Sequence, residues 1–414
     1  MKATKLAIFL FTLGVNAAFT EEPPASPPPA SALSQAADLW NSTAGQWFWP
    51  HLHLNGAAGV SSGDPTALAS GHHDPSREGG SIQGIEVGGS LRIDPYLEGF
   101  ATYNLAWGAD KEWSDEWEEA FLKLRCPAEY GEVRGGRMLA RFGQHNTRHL
   151  HSWNTVDMPL VIGRFLGDDA LIIDGGDATG FLPAGDTLLF GAVFGYGNRP
   201  NFHSGHSDED GHAHQHASVA NDAIYTGRLF ARYTPTDFFG YTLGLSGISG
   251  EYGSDSFDSS VLGADFSIDW RENGLEPGGQ RINWTTEVLY RSFDAEEMHA
   301  EHEEHSDHAD HEEHHAHADG HRVPNFNESG FYTALLYAPN ANFDTQLRVG
   351  WVEGVEENAL DERWRISPSA TWWVTPGRTL YARLQYNYDL IADDTDEHSV
   401  WLQLGLSLGK GEVR

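Results

Sequence analysis

From about residue 46 to the C-terminus, apolar and polar positions alternate with a period of two rather than 3.6. Leu380, Ala382, Leu384, Tyr386 and Tyr388 alternate with Tyr381, Arg383, Gln385, Asn387 and Asp389. Val400, Leu402, Leu404, Leu406 and Leu408 alternate with Trp401, Gln403, Gly405, Ser407 and Gly409, and Ile282, Trp284, Thr286, Val288 and Tyr290 with Asn283, Glu287 and Arg291. One face is apolar with aromatic ends, and the other is polar and charged. A soluble sandwich would hide the apolar face. A transmembrane barrel turns it to lipid and leaves the polar side chains in its lumen.

The pattern therefore predicts an all-β chain, a transmembrane antiparallel up-and-down β-barrel of about sixteen strands. They are expected near 48–58, 81–93, 96–107, 116–125, 131–142, 170–182, 186–196, 223–233, 237–248, 259–270, 281–292, 328–338, 342–353, 363–374, 378–389 and 398–409. Most meet the length of about 9–11 residues that a tilted membrane strand needs. Short turns (Asp94-Pro95, Pro183-Ala184-Gly185, Thr234-Pro235-Thr236, Pro339-Asn340-Ala341, Pro376-Gly377) alternate with long connections at 59–80, 143–169, 197–222 and 293–327. This is the asymmetry of periplasmic turns and external loops in a bacterial outer membrane. The alternative, a soluble sandwich or propeller, lacks a visible blade repeat. It also leaves unexplained why the 14 Trp and 14 Tyr gather at segment ends, where interfacial girdles would sit.

The start of the chain fits export. Lys2 and Lys5 precede an apolar run from Leu6 to Val15, and Val15 and Ala17 suit cleavage near Ala17–Ala18. The expected organisation is a signal peptide at 1–17, a Pro-rich periplasmic leader at 18–45 and a barrel at 46–414, with unstructured His-rich loops at 198–222 and 294–325. The single Cys126 excludes an intrachain disulfide and a Cys-based zinc site. The formal net charge of −34 argues against a nucleic-acid partner.

Two connections hold fourteen of the 22 histidines: His203, His206, His212, His214 and His216 in one, and His299, His302, His305, His308, His311, His314, His315, His317 and His321 in the other. The second is laced with Glu and Asp and has no Lys or Arg between Phe293 and Arg322. It has too few apolar side chains to pack a core. Imidazole with carboxylate suits Zn²⁺ first, with Ni²⁺, Cu²⁺ or Co²⁺ as alternatives. A spacing of three forms no single helical stripe, so many loose sites are expected, which would release metal as His protonates. Four strands separate the two connections, so both face the same side, the exterior if the N-terminus is periplasmic.

The stretch 140–176 carries a denser motif. Asn146, His149, His151, Trp153, Asp157, Pro159, Leu160, Val161, Phe165, Leu166 and Gly167 form N-x-x-H-x-H-x-W-x-x-x-D-x-P-L-V-x-x-x-F-L-G. With the blocks at 84–107 and 286–291 and the final hairpin, it resembles a bacterial outer-membrane family labelled zinc-regulated TonB-dependent outer-membrane receptors. That resemblance implies zinc-linked expression or transport. A receptor of that kind has a plug and about 22 strands, whereas the Pro-rich leader leaves no room for a plug. The expectation is a plugless, porin-like channel without an energy-coupling partner. Lipid and divalent metal ions are its expected partners, and a homo-oligomer is compatible with it.

Residues 143–169 are expected to fold into the lumen as a constriction. Asp157, Asp168 and Asp169 would form an acidic rim facing Arg137, Arg141, Arg228, Arg232, Arg291, Arg348 and Arg383 on the wall. The alternative is that these arginines are polar fillers paired with Glu98, Glu287 and Asp389. His149 and His151 could share one metal, or pin the loop by hydrogen bonds. His51 and His53 share one strand face, which is read as lumenal, and are expected as polar fillers in preference to metal ligands. An enzyme is not indicated: there is no nucleophile elbow, and H-E-E-H at 302–305 and 311–314 is not H-E-x-x-H. The reading is a channel linked to uptake of zinc or a similar metal, with the His-rich loops capturing metal at its mouth. The alternatives are a general diffusion porin and a barrel-anchored metal buffer with a closed lumen.

Overall fold

A computed structural model describes residues 44–63, 73–76, 78–108, 112–167, 170–198, 223–252, 257–276, 278–296, 322–355, 361–392 and 395–409. Among these, sixteen strands close into one antiparallel barrel, each paired with its chain neighbours and the last with the first. The strands are β1 Phe48–Ser61, β2 Glu78–Arg92, β3 Leu97–Trp107, β4 Trp113–Arg125, β5 Gly131–Leu139, β6 Ile172–Ala184, β7 Leu188–Asn198 and β8 Ala223–Thr236. They continue as β9 Phe239–Tyr252, β10 Phe257–Arg271, β11 Arg281–Glu296, β12 Arg322–Asn340, β13 Phe343–Val352, β14 Arg363–Trp373, β15 Leu380–Ile391 and β16 Thr395–Gly409. Closure runs from His51 opposite Gly409 to Ser61 opposite Ser399.

The period-two alternation is the cause of this architecture. Leu243, Leu245, Leu262, Val288, Leu384, Leu402 and Leu404 point outward and are exposed, while Glu287, Arg383, Gln385, Asn387 and Gln403 point inward and are buried. Every backbone amide in a closed ladder has a partner, which is what permits strands to cross hydrocarbon. An apolar exterior around a charged interior is the outer-membrane arrangement.

Several boundaries differ from those expected. Strands β11 and β12 continue to Glu296 and start at Arg322, so residues 294–296 and 322–325 belong to the ladder and not to a loop; Phe293 pairs with Phe326 there. Asn198, expected in a loop, ends β7. Likewise Pro183-Ala184, Thr234-Pro235-Thr236 and Pro339-Asn340 lie within strands. Backbone pairing does not stop where apolar alternation stops. At the other extreme, β5 ends at Leu139 rather than 142, because the chain leaves the wall there and enters the lumen. The signal peptide and all of the leader but its last two residues lie outside the described residues; Ala44 and the residue after it belong to a short 3-10 turn, Ala44–Gln46.

The ends of β7, β8, β11 and β12 that bound both His-rich connections open at the same rim, as does the β5–β6 connection. All fourteen of those histidines lie outside the described residues.

Candidate functional site: the lumen and its inserted loop

The β5–β6 connection fills part of the barrel. Its apolar residues, among them Phe142, Leu150, Trp153, Met158, Val161, Ile162 and Phe165, are buried against inward-facing Ile224, Ile248, Val261, Leu289, Tyr332 and Val352 of β8 to β13. The helix α1, Leu160–Leu166, follows Pro159 and ends at Gly167 with φ 106°. Proline suits a helix start, and glycine accepts the positive φ of the stop. Nearly every α1 residue is apolar, so the helix is buried all round instead of on one stripe.

Polar residues of the recognised motif clamp this loop. Asn146 donates to the carbonyls of Ala140 and Leu171 and accepts from the Leu171 amide, closing the loop base. At Gly143 (φ 55°) a Cβ would collide with Glu287, whose carboxylate takes the amides of Gln144 (3.1 Å) and His145 (2.8 Å). Asp157 sits at the centre of a network: Arg348 at 2.5 Å, Arg365 at 2.8 Å, Gln385 at 2.5 Å and Asn387 at 2.7 Å. Burial by itself would raise the Asp157 carboxyl, but the two guanidiniums and two amides bring it down to about 2. Arg383 donates to the carbonyls of Trp153 and Thr155 and to Gln403. Burial, with Arg148 and Arg348 nearby, holds the His145 imidazole well below its ordinary value and so neutral.

The expected lumen residues thus divide. Arg228, Arg291, Arg348 and Arg383 are buried on the inner wall. Arg228 pairs with Asp265, and Arg291 pairs with Glu328 and lies over Phe165 and Phe293. Arg141 projects from the loop and pairs with Glu132. Arg232 is exposed and stacks on Phe230. Asp157 does not form an acidic rim: it is only 2% exposed, and its charge is met by Arg348, one of the arginines expected opposite it, and by Arg365, which was not among them. Asp168 and Asp169 lie outside the described residues. Arg137 is a further correction. It pairs at 2.8 Å with Asp174, three residues from the inward-pointing Arg134–Asp177 pair, and alternation therefore puts it on the outer face. The filler carboxylates take other partners than the seven arginines expected: Asp389 pairs with Arg363 and Arg365, Glu98 with Lys123, Arg92 and Arg125, and Glu287 accepts from the Gln144 and His145 amides and the Tyr332 hydroxyl.

His149 and His151 meet the β2–β4 wall. His149 has Glu118 at 2.8 Å from Nδ1 and Glu119 at 2.8 Å from Nε2, and His151 Nδ1 lies 2.6 Å from Glu86. The His151 ring stacks on His53 with centroids 3.6 Å apart, and His53 stacks on His51. His73, in the short segment after β1, reaches Glu118 at 3.1 Å. Sequence reading missed Glu86, Glu118, Glu119 and Arg365 as parts of the site. The alternation gave inward faces to Glu86 and Arg365, but not to both of the consecutive Glu118 and Glu119, which are buried together where the β3–β4 register shifts; the shared neighbourhood of the four was not legible.

The chain matches no protein-family model and no curated protein. Solved structures do match. OprB of Pseudomonas putida aligns over 91% of this chain and 97% of its own at 9% identity, TM-score 0.56. An anion-selective porin from Comamonas acidovorans aligns over 87% and 99% at 10% identity, TM-score 0.54. The outer-membrane channel DcaP of Acinetobacter baumannii aligns over 87% and 96% at 8% identity, TM-score 0.51. At such identities the likeness concerns the barrel and not the zinc-linked expectation. The fold is that of outer-membrane porins and channels, and the protein is a bacterial outer-membrane β-barrel.

Proposed function

We propose that this barrel is a porin-like outer-membrane channel linked to the uptake of zinc or a similar divalent metal. Its β5–β6 loop forms the constriction, and its His-rich segments, 203–216 and 299–321, gather metal at the external mouth. The observation that carries the channel reading is the inserted loop itself, fixed by Asp157 to three wall strands in a lumen lined with charge. A loop that narrows a charged lumen selects solutes by size and charge. The metal link rests on the chemistry of the fourteen clustered histidines, which offer many weak imidazole sites and a high local capacity.

Single-channel recording on the refolded full-length barrel, with and without micromolar Zn²⁺, tests both parts. Stable conductance altered by Zn²⁺ is expected, with the alteration reduced when 203–216 and 299–321 are deleted. Conductance indifferent to zinc would make this a general diffusion porin. No conductance at all would overturn the channel reading in favour of a barrel-anchored metal buffer.

A further inference from the structure

The contact between the inserted loop and the β1–β4 wall is a cluster of imidazoles and carboxylates. Three donor sets occur there among the described residues: His53, Glu86 and His151; Glu86, Glu118 and His149; and His73, Glu116 and Glu118. Within each set the candidate ligand atoms all lie within 4.8 Å of one another. The first set joins three separate segments, β1, β2 and the loop.

This cluster differs from the β13–β15 wall in how its charge is balanced. On β13 to β15, carboxylates meet guanidiniums: Asp157 meets Arg348 and Arg365, and Asp389 meets Arg363. Glu86 and Glu118 are just as buried, but they are met by imidazoles. A carboxylate buried without a cation loses its hydration uncompensated, and relaxation of the surroundings recovers only part of that loss. The His53 and His151 rings lie side by side, 8° apart with centroids at 3.6 Å, and both border Glu86. One dication shared by the two imidazoles would give Glu86 the positive charge that guanidiniums give Asp157 and Asp389.

We infer that the lumen holds a preformed site for a borderline divalent metal such as Zn²⁺ or Co²⁺, ligated by His53, Glu86 and His151, with His149 and Glu118 adjoining through the shared Glu86. Two imidazoles and a carboxylate are the donors such metals choose over Mg²⁺ or Ca²⁺. Three protein ligands leave a further position for water or an exchanging ligand. Glu86 brings a spare donor, since its Oε1 is buried and accepts no hydrogen bond among the described residues. Supporting groups are in place around it: His149 is held between Glu118 and Glu119, and His73 Nδ1 lies 3.0 Å from the Gln83 carbonyl. A metal here would bridge the loop to two wall strands, so that occupancy and the position of the constriction are coupled. That consequence rests on the channel reading; the site itself does not.

The test is a Co²⁺ titration of the refolded full-length barrel, followed by visible absorption, and repeated on Glu86→Gln and on His53→Asn/His151→Asn. One tight equivalent with the intense absorption of low coordination is expected above a weak background from the external segments. Both variants should bind that equivalent at least about tenfold more weakly. Their barrel content is checked by far-UV circular dichroism. Anomalous diffraction from wild-type crystals soaked in Co²⁺ should place the ion between His53, Glu86 and His151, and this arm stands even if the variants fail to fold. Absence of a tight equivalent, its survival in the folded variants, or an anomalous map without a peak there would overturn the site. A barrel that conducts but lacks the site would refute this inference alone. A barrel that holds the site but does not conduct would refute the channel reading alone.

Discussion

Asp157→Ala is the most informative single change in the lumen. The substitution removes one carboxylate from four partners on β13, β14 and β15. Arg365 keeps Asp389 at 2.7 Å, but Arg348 loses its carboxylate and retains only neutral acceptors, the backbone carbonyl of residue 157 and the hydroxyls of Thr155 and Ser367. Removing one member of a buried ion pair costs about 3–5 kcal/mol, most of it from the charge left behind. Because Asp157 is on the loop and its partners are on the wall, this loss falls on loop docking rather than on strand pairing. The ratio of docked to undocked loop should fall by about two to four powers of ten. Single-channel recording should then show larger or frequently stepping conductance, and protease should cut within 140–170 in the folded barrel where it spares wild type. Asp157→Asn, which keeps the shape but only one of the two accepting oxygens, should behave in between. The charge remains down to low pH: a carboxyl lowered to about 2 contributes stability that is present above its ordinary value of 3.8 and is lost only as pH falls through about 2. Wild-type and Asp157→Ala channels should therefore differ at pH 5 as they do at pH 7. Identical conductance and identical protease resistance in Asp157→Ala and wild type would refute the assignment of Asp157 as the loop's anchor.

Other outcomes follow from the same geometry. Gly143→Ala forces a Cβ into Glu287 and a positive φ on alanine, so docking should weaken by about 1–3 kcal/mol, read as a lower urea midpoint for loop release. His145 is buried neutral with its value depressed by burial and by Arg148 and Arg348, so the undocked loop binds the extra proton. Its docking penalty grows below about pH 6.5 by up to about 1.4 kcal/mol per pH unit, and His145→Gln should lose less stability than wild type in melts compared at pH 7 and 5. Arg137→Ala, being on the outer face, should leave conductance and ion selectivity unchanged, whereas Arg383→Ala, which releases the Trp153 and Thr155 carbonyls, should change both. A selectivity change in Arg137→Ala would return that residue to the lumen.

The alternation of side chains decided the barrel before any coordinates, because in a strand the parity of a residue fixes its face and a membrane makes one face apolar. Strand number, the common rim of the His-rich connections and the inward faces of Arg228, Arg291, Arg348 and Arg383 are all consequences of counting along that pattern. Counting fails where the ladder stops. Arg137 and Arg141 have the same parity, but β5 ends at Leu139, so one points outward from the wall and the other projects from the lumen loop. Strand ends failed for a related reason: the ladder of β11 and β12 continues through polar residues, since hydrogen bonding needs only backbone. The motif at 146–167 showed that the loop matters but not what it touches. Asp157 is read as an acidic rim in the sequence because its arginines lie about two hundred positions away, and only closure of the barrel brings β13 to β15 against it. The same holds for His53, Glu86 and His151. Each is an ordinary polar residue on its own segment, and they become one donor set only because the closed wall and the inserted loop place three distant pieces of chain at one point.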